Sequence, residues 1–180
     1  MAIIGRLLVE YGELEIGLMN CIQVARNYDL NTTLKTMFRV RGETNRLDIA
    51  DALGRSSYDE SGLSNEFKQM MDAIRYCLRI RNKYAHAYWH DPDQGTELCY
   101  LSLEELAKED FFVRDLTKLT FYYIDEPLLQ QQETYFEYAS AITRYVNFEG
   151  RFRAKKLLSQ PFSLPTAPTR PAFFIRKSEG

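Results

Sequence analysis

Apolar side chains recur at Ile4, Leu7, Leu8, Tyr11, Leu14, Leu18, Ile22 and Ala25, with Glu10, Glu13 and Glu15 on other faces, which predicts a first helix over residues 3–27. Gly5, Gly12 and Gly17 each weaken it by roughly 1 kcal/mol against Ala, so these positions are expected to let another backbone approach closely. Asn31-Thr32-Thr33 has the composition of an N-cap cluster, and a second helix follows to about Leu53 with a break expected at Gly42. Gly54-Arg55-Ser56-Ser57 is expected to end it, and a polar loop from Tyr58 to Ser64 leads into a third helix from about Asn65 to Tyr88. Asp91-Pro92-Asp93-Gln94-Gly95 reads as a turn, and Glu97–Leu101 and Leu119–Ile124 read as strands able to pair. A short helix around Leu103–Lys108 would lie between these two strands. Asp125-Glu126-Pro127 combines an acidic cap with proline in the first turn and predicts a last long helix to about Phe152. The fold class expected is mainly α, an antiparallel four- to five-helix bundle with a small β-hairpin-like insertion before the last long helix.

Composition sharpens this picture. With 180 residues, 45% of them hydrophobic, and a net charge of −2, the chain can bury one sizeable core. No apolar run reaches the roughly 18 residues a bilayer-spanning helix needs, and acidic residues interrupt the N-terminus early, so a cytoplasmic protein with no membrane contact is expected. The three cysteines are widely separated, which suits reduced thiols rather than a disulfide framework or a zinc cage. Charge is uneven: residues 150–180 hold seven Lys/Arg against one acid, while residues 1–149 carry sixteen bases and twenty-four acids. Four of the six prolines also fall between Pro161 and Pro171. The expected organisation is a helical domain over residues 1–156 and a basic, Pro-rich arm over 157–180.

The third helix holds the residues that could carry chemistry. Its apolar stripe runs through Phe67, Met70, Met71, Ile74, Cys77, Leu78, Tyr84, Ala85 and Tyr88, and Arg81 falls on the continuation of that stripe. A guanidinium there needs a partner, because an unpaired buried charge costs several kcal/mol. Arg81 either pairs with a carboxylate of the first or the last long helix, or faces a cleft or subunit interface that binds an anion. Asn82 and His86 are four apart and share a face, with Arg79 and Arg75 close to the same azimuth; Arg81 is about 140° away. One of only two histidines in the chain therefore lies beside an amide and several cations.

Arg81-Asn82-Lys83-Tyr84-Ala85-His86 resembles the R-x4-6-H motif of the HEPN superfamily, in which a polar residue, often Asn, follows the Arg. Trp89 just after the His also resembles bacterial HEPN proteins. The resemblance implies a homodimer with both motifs facing one composite cleft, and cleavage of RNA without a metal or other cofactor. It implies His86 as general acid/base, a task for which imidazole suits neutral pH. Arg81 would hold the phosphate and stabilise charge developing on its oxygens, and Asn82 would orient His86 or the scissile phosphate. Arg75, Arg79 and Lys83 would bind substrate. It also implies a toxin or phage-defence setting with a cognate antitoxin or regulator as partner. Inactive relatives with the same motif serve as RNA-binding or dimeric assembly modules. The acidic body departs from the basic footprint of broad RNA binders, which confines any RNA groove to a local region.

Other chemistry finds less support. His86, His90, Asp91 and Asp93 approach a metal-ligand spacing, but aspartates flanking Pro92 more simply make a turn, and no metal is assigned. Gly42, Gly54 and Gly62 stand singly, without a phosphate loop. The aromatics, densest in residues 84–148, read first as core packing and second as a stacking platform. Phe162, Phe173, Phe174 and Ile175 give the C-terminal arm apolar content, which suits an extended arm packing on a partner subunit more than a disordered one.

Overall fold

A computed structural model describes residues 2–90, 97–108 and 119–179. Its helices are α1 (Ala2–Ala25), α2 (Leu30–Phe38), α3 (Glu43–Glu60), α4 (Ser64–Ala85), α5 (Leu103–Leu106) and α6 (Glu126–Arg153). The strands are β1 (Ala87–His90), β2 (Glu97–Ser102), β3 (Thr120–Asp125) and β4 (Arg176–Glu179). The fold is mainly helical with a small antiparallel sheet in the order β1-β2-β3-β4. Among the described residues, no helix is long and apolar enough to cross a membrane.

The 3.6-residue period of α1 buries Ile4, Leu7, Tyr11, Leu14, Leu18 and Ile22, and the helix packs chiefly on α6, then on α3 and α4. Gly17 is the one of its glycines that meets a neighbour: a Cβ there would lie 2.9 Å from Thr143 Cγ2 of α6. Gly5 and Gly12 have nothing within 4 Å of such an atom, so the close approach expected at all three occurs at one. The stretch expected as a second helix is two helices. Asp29, two residues ahead of the anticipated cluster, caps α2 by accepting from the Thr32 N–H at 3.0 Å. The break falls where expected, because Gly42 takes a positive φ of 85° that glycine adopts at little cost.

Gly54 does not terminate α3, which runs six residues further to Glu60. It is buried against Ile22 of α1 and Phe67 of α4, where its missing side chain lets the three helices close up. The loop expected from Tyr58 shrinks accordingly, since Tyr58 is helical, stacks on Phe67 at 4.7 Å and donates from its hydroxyl to the Cys21 carbonyl at 2.9 Å. At α6 the sequence signal holds: Asp125 accepts from the Leu128 N–H at 2.9 Å, and proline occupies the first turn.

The two expected strands pair as β2 and β3, with Leu98 opposite Ile124 and Tyr100 opposite Tyr122. The sheet then extends on both sides. Helix α4 stops at Ala85 rather than Tyr88, and Tyr88 and Trp89 enter β1 opposite Leu101 and Tyr100. The expected turn over 91–95 lies outside the described residues. On the other side β4 pairs with β3, Tyr122 opposite Lys177. Tyr84, Trp89, Tyr100, Tyr122 and Phe174 form a continuous chain of ring contacts, each 4.9–5.3 Å from the next, joining α4 to the sheet. Core packing thus accounts for these aromatics, and the thiols of Cys21, Cys77 and Cys99 are buried.

The C-terminal arm packs on its own chain. Phe162 meets Phe148 edge-on at 4.9 Å, and Gln132 donates to the Ala172 carbonyl at 2.8 Å. The Tyr76 hydroxyl donates to the Pro171 carbonyl, and Phe173 stacks on Tyr76 at 5.1 Å. Proline removes N–H groups a ladder needs, so the proline-rich part of the arm is held by side-chain contacts, and backbone pairing with β3 begins at the Ile175 N–H, which donates to the Tyr123 carbonyl at 2.8 Å.

Candidate functional site

The end of α4 is pinned from below and open above. Tyr84 is buried and donates to Gln132 Oε1 of α6, while the Trp89 indole N–H reaches back to the Tyr84 carbonyl at 3.3 Å. His86 caps the helix with its own N–H to Asn82 O at 3.2 Å, and its carbonyl accepts from the Leu103 N–H at 3.3 Å. The backbone around His86 is therefore fixed on both sides while its side chain is exposed. Among the described residues, no hydrogen bond or ion pair engages the imidazole.

Arg81 finds the carboxylate that its position demands. Nη1 lies 3.0 Å from Glu43 Oε1, with the two side chains 25% and 30% exposed. The partner belongs to neither the first nor the last long helix, the two sources anticipated. It sits in the first turn of α3, directly after the Gly42 break, where the helix N-terminus favours a negative charge. The same Nη1 donates to Asn82 Oδ1 at 2.9 Å, and the guanidinium carbon lies 5.9 Å from the Tyr11 ring centre. Burial, followed by the charges of Glu15 and Glu43, raises the Tyr11 phenol well above its ordinary range, so it stays protonated beside the pair. The Asn82 side chain thus accepts from Arg81, and its link to His86 is through the backbone.

The other expected cations separate into different duties. Arg75 bridges to Asp48 at 3.0 Å and Asp51 at 3.2 Å, tying α4 to α3. Burial works against its charge, but those carboxylates outweigh it and keep its pKa above the usual value. Arg79 is exposed and stacks over the Tyr76 ring at 4.8 Å and the Phe173 ring at 5.6 Å. Lys83 reaches Glu105 at 3.5 Å and borders the Tyr122 and Phe173 rings. The structure brings Arg81 and Asn82 into contact, sets Arg79 and Lys83 beside the same phenylalanine, and joins no described cation to the His86 ring.

Two further residues belong to this region. Glu43 could be anticipated as an acid at a helix start, but nothing local tied it to Arg81. Arg170 comes from the arm and helps line a groove of about 410 Å3 with Arg75, Arg79, Asp72, Thr44 and Leu47. Among the described residues, no group of three or more His, Cys, Asp or Glu side chains is placed to hold a metal ion. No protein-family model, curated protein or solved structure compared with the chain matches it.

Proposed function

We propose that the chain is a metal-independent endoribonuclease of HEPN type, its helices forming the antiparallel bundle of that superfamily and two copies sharing one cleft. The observation that carries this reading is the condition of the three motif side chains. Arg81 meets Glu43 and Asn82 through Nη1, and a guanidinium has five N–H donors, so it has further donors to offer a phosphate. His86 is exposed on a rigid backbone, as a group that must transfer protons to a bound chain needs to be. In the reaction, the ribose 2′ oxygen attacks the adjacent phosphorus and its proton passes to one His86. The bond from phosphorus to the 5′ oxygen breaks, and that oxygen takes a proton from the His86 of the second copy. The products are a 2′,3′-cyclic phosphate and a 5′-hydroxyl end. Arg81 offsets the charge that grows on the phosphoryl oxygens. A toxin or phage-defence effector, restrained by a cognate antitoxin or regulator, is the setting proposed.

The Arg81–Glu43 pair favours a second reading, a non-catalytic RNA-binding or dimeric assembly module in which the arginine only braces α3 against α4. Labelled mixed RNA incubated in excess EDTA with wild type, Arg81→Ala and His86→Ala separates the two. Cutting by wild type alone, with cyclic-phosphate ends, is the expected result. Intact RNA in all three reactions would overturn the nuclease and leave the module.

A further inference from the structure

The groove between α4 and the C-terminal arm has walls from parts of the chain nearly a hundred residues apart. Arg79 approaches the Tyr76 ring centre at 4.8 Å and Arg170 approaches the same ring at 5.3 Å. The two charges therefore lie within about one Debye length, roughly 10 Å, of each other. Two like charges held this close repel unless an anion lies between or beside them. Among the described residues, neither arginine lies within ion-pair distance of a carboxylate, though Arg170 donates a hydrogen bond to Tyr135 and the charge of Asp72 draws on it; Arg75, lining the same groove, is already matched by Asp48 and Asp51. The one carboxylate lining the groove is Asp72.

Tyr76 is buried, its hydroxyl is committed to the Pro171 carbonyl, and Phe173 stacks on it at 5.1 Å, so its ring is a fixed support. A guanidinium stacked on a ring keeps its in-plane N–H donors directed away from that ring, which pre-orders it for a phosphate. Leu47 and Leu78 supply an apolar floor beside these donors. Arg79 and Asn82 lie on one face of α4, and His86 caps its end about 10 Å beyond Arg79 along the axis.

We propose that Arg79 and Arg170 hold a phosphate of a single-stranded RNA in this groove, delivering the strand towards His86, so that the C-terminal arm completes the substrate site. The choice of RNA rests on the ribonuclease reading; the anion site rests on the groove. Cationic charge comes from both walls, while Asp72 opposes an anion and limits how tightly any polyanion is held.

Fluorescence anisotropy of a short labelled single-stranded RNA, in EDTA and on a His86→Ala background that prevents turnover, tests this. Arg79→Ala and Arg170→Ala should each weaken binding about tenfold, the scale of one charge-assisted hydrogen-bonded contact. Each should also flatten the slope of log affinity against log salt by about 0.7. Arg170→Lys should retain the slope, Asp72→Asn should tighten binding, and Arg39→Ala, which does not line the groove, should change neither. Thermal melts of each variant establish that it is folded. Affinity and slope unchanged in folded Arg79→Ala and Arg170→Ala would overturn the site, as would absence of RNA binding by the parent at low salt. Arginine-dependent binding without any cleavage by wild type would keep the groove and overturn the nuclease; cleavage that ignores both arginines would do the reverse.

Discussion

Alanine introduced at Gly54 and at Gly12 should change stability in opposite directions, although both glycines lie inside long helices. In an open helix position the substitution stabilises by about 1 kcal/mol, because alanine loses less backbone entropy on folding. Gly12 is such a position, with nothing within 4 Å of an added Cβ. At Gly54 the same atom would lie 2.6 Å from Phe67 Cζ and 2.9 Å from Ile22 Cδ1. Neither neighbour can swing aside. Phe67 is clamped face to face against Tyr58, and both Phe67 and Ile22 are buried in the core. Forcing a methyl into such packing costs about 1–3 kcal/mol, which exceeds the helical gain and leaves a net loss of about 1 kcal/mol. In a chain of this size that lowers the melting temperature by roughly 2–4 °C, while Gly12→Ala should raise it by a similar amount. Urea and thermal unfolding of wild type and both variants, followed by circular dichroism, measure the difference. A Gly54→Ala protein as stable as wild type would refute the argument that this glycine exists to let α1, α3 and α4 close on one another.

Two further outcomes follow from the same contacts. A double-mutant cycle with Glu43→Gln and Arg81→Met should give a coupling of about 1 kcal/mol, the upper end for partly exposed pairs, since both side chains are mostly shielded; additive effects in urea unfolding would show that the pair contributes nothing. Hydrogen bonds from Thr32 hold the Asp29 carboxyl below its ordinary pKa, so the stability it contributes is present above the ordinary aspartate range and is lost as pH falls through the lowered value. Asp29→Asn, which keeps a cap without the charge, should remove that part of the acid dependence in thermal melts taken across the acid range, and an acid limb identical to wild type would contradict the assignment.

The long helices α1 and α6 were legible in the sequence because their apolar residues repeat every three or four positions over several turns. Such a pattern buries one face whatever the neighbours are, and at α6 the Asp125-Glu126-Pro127 start added a local cap to it. The β2 and β3 strands were legible for a similar reason: short aromatic and β-branched runs, each complete in itself. Even the need of Arg81 for a partner could be read from its place on an apolar stripe.

Where a residue's role depends on what approaches it from elsewhere, the linear pattern was silent or misleading. Gly54 carries the local signature of a helix stop, yet it lies inside α3 because Phe67 and Ile22 occupy the space its side chain would have filled. Tyr88 and Trp89 continue a helical period but turn into β1, where Trp89 packs on Tyr84 and Tyr100 and its indole N–H finds the Tyr84 carbonyl. Ring contacts across a sheet outweigh a weak propensity for one more helical turn. The strand at 176–179 forms only because β3 offers its free edge, a pairing that spans more than fifty residues and leaves no trace in local periodicity. The same physics separates the motif from its surroundings. Arg81, Asn82 and His86 are neighbours along the chain, whereas Glu43 reaches Arg81 only once α3 has docked, and Arg170 reaches the groove beside Arg79 only once the arm has folded back, since contacts between distant segments are chosen by packing and charge in three dimensions.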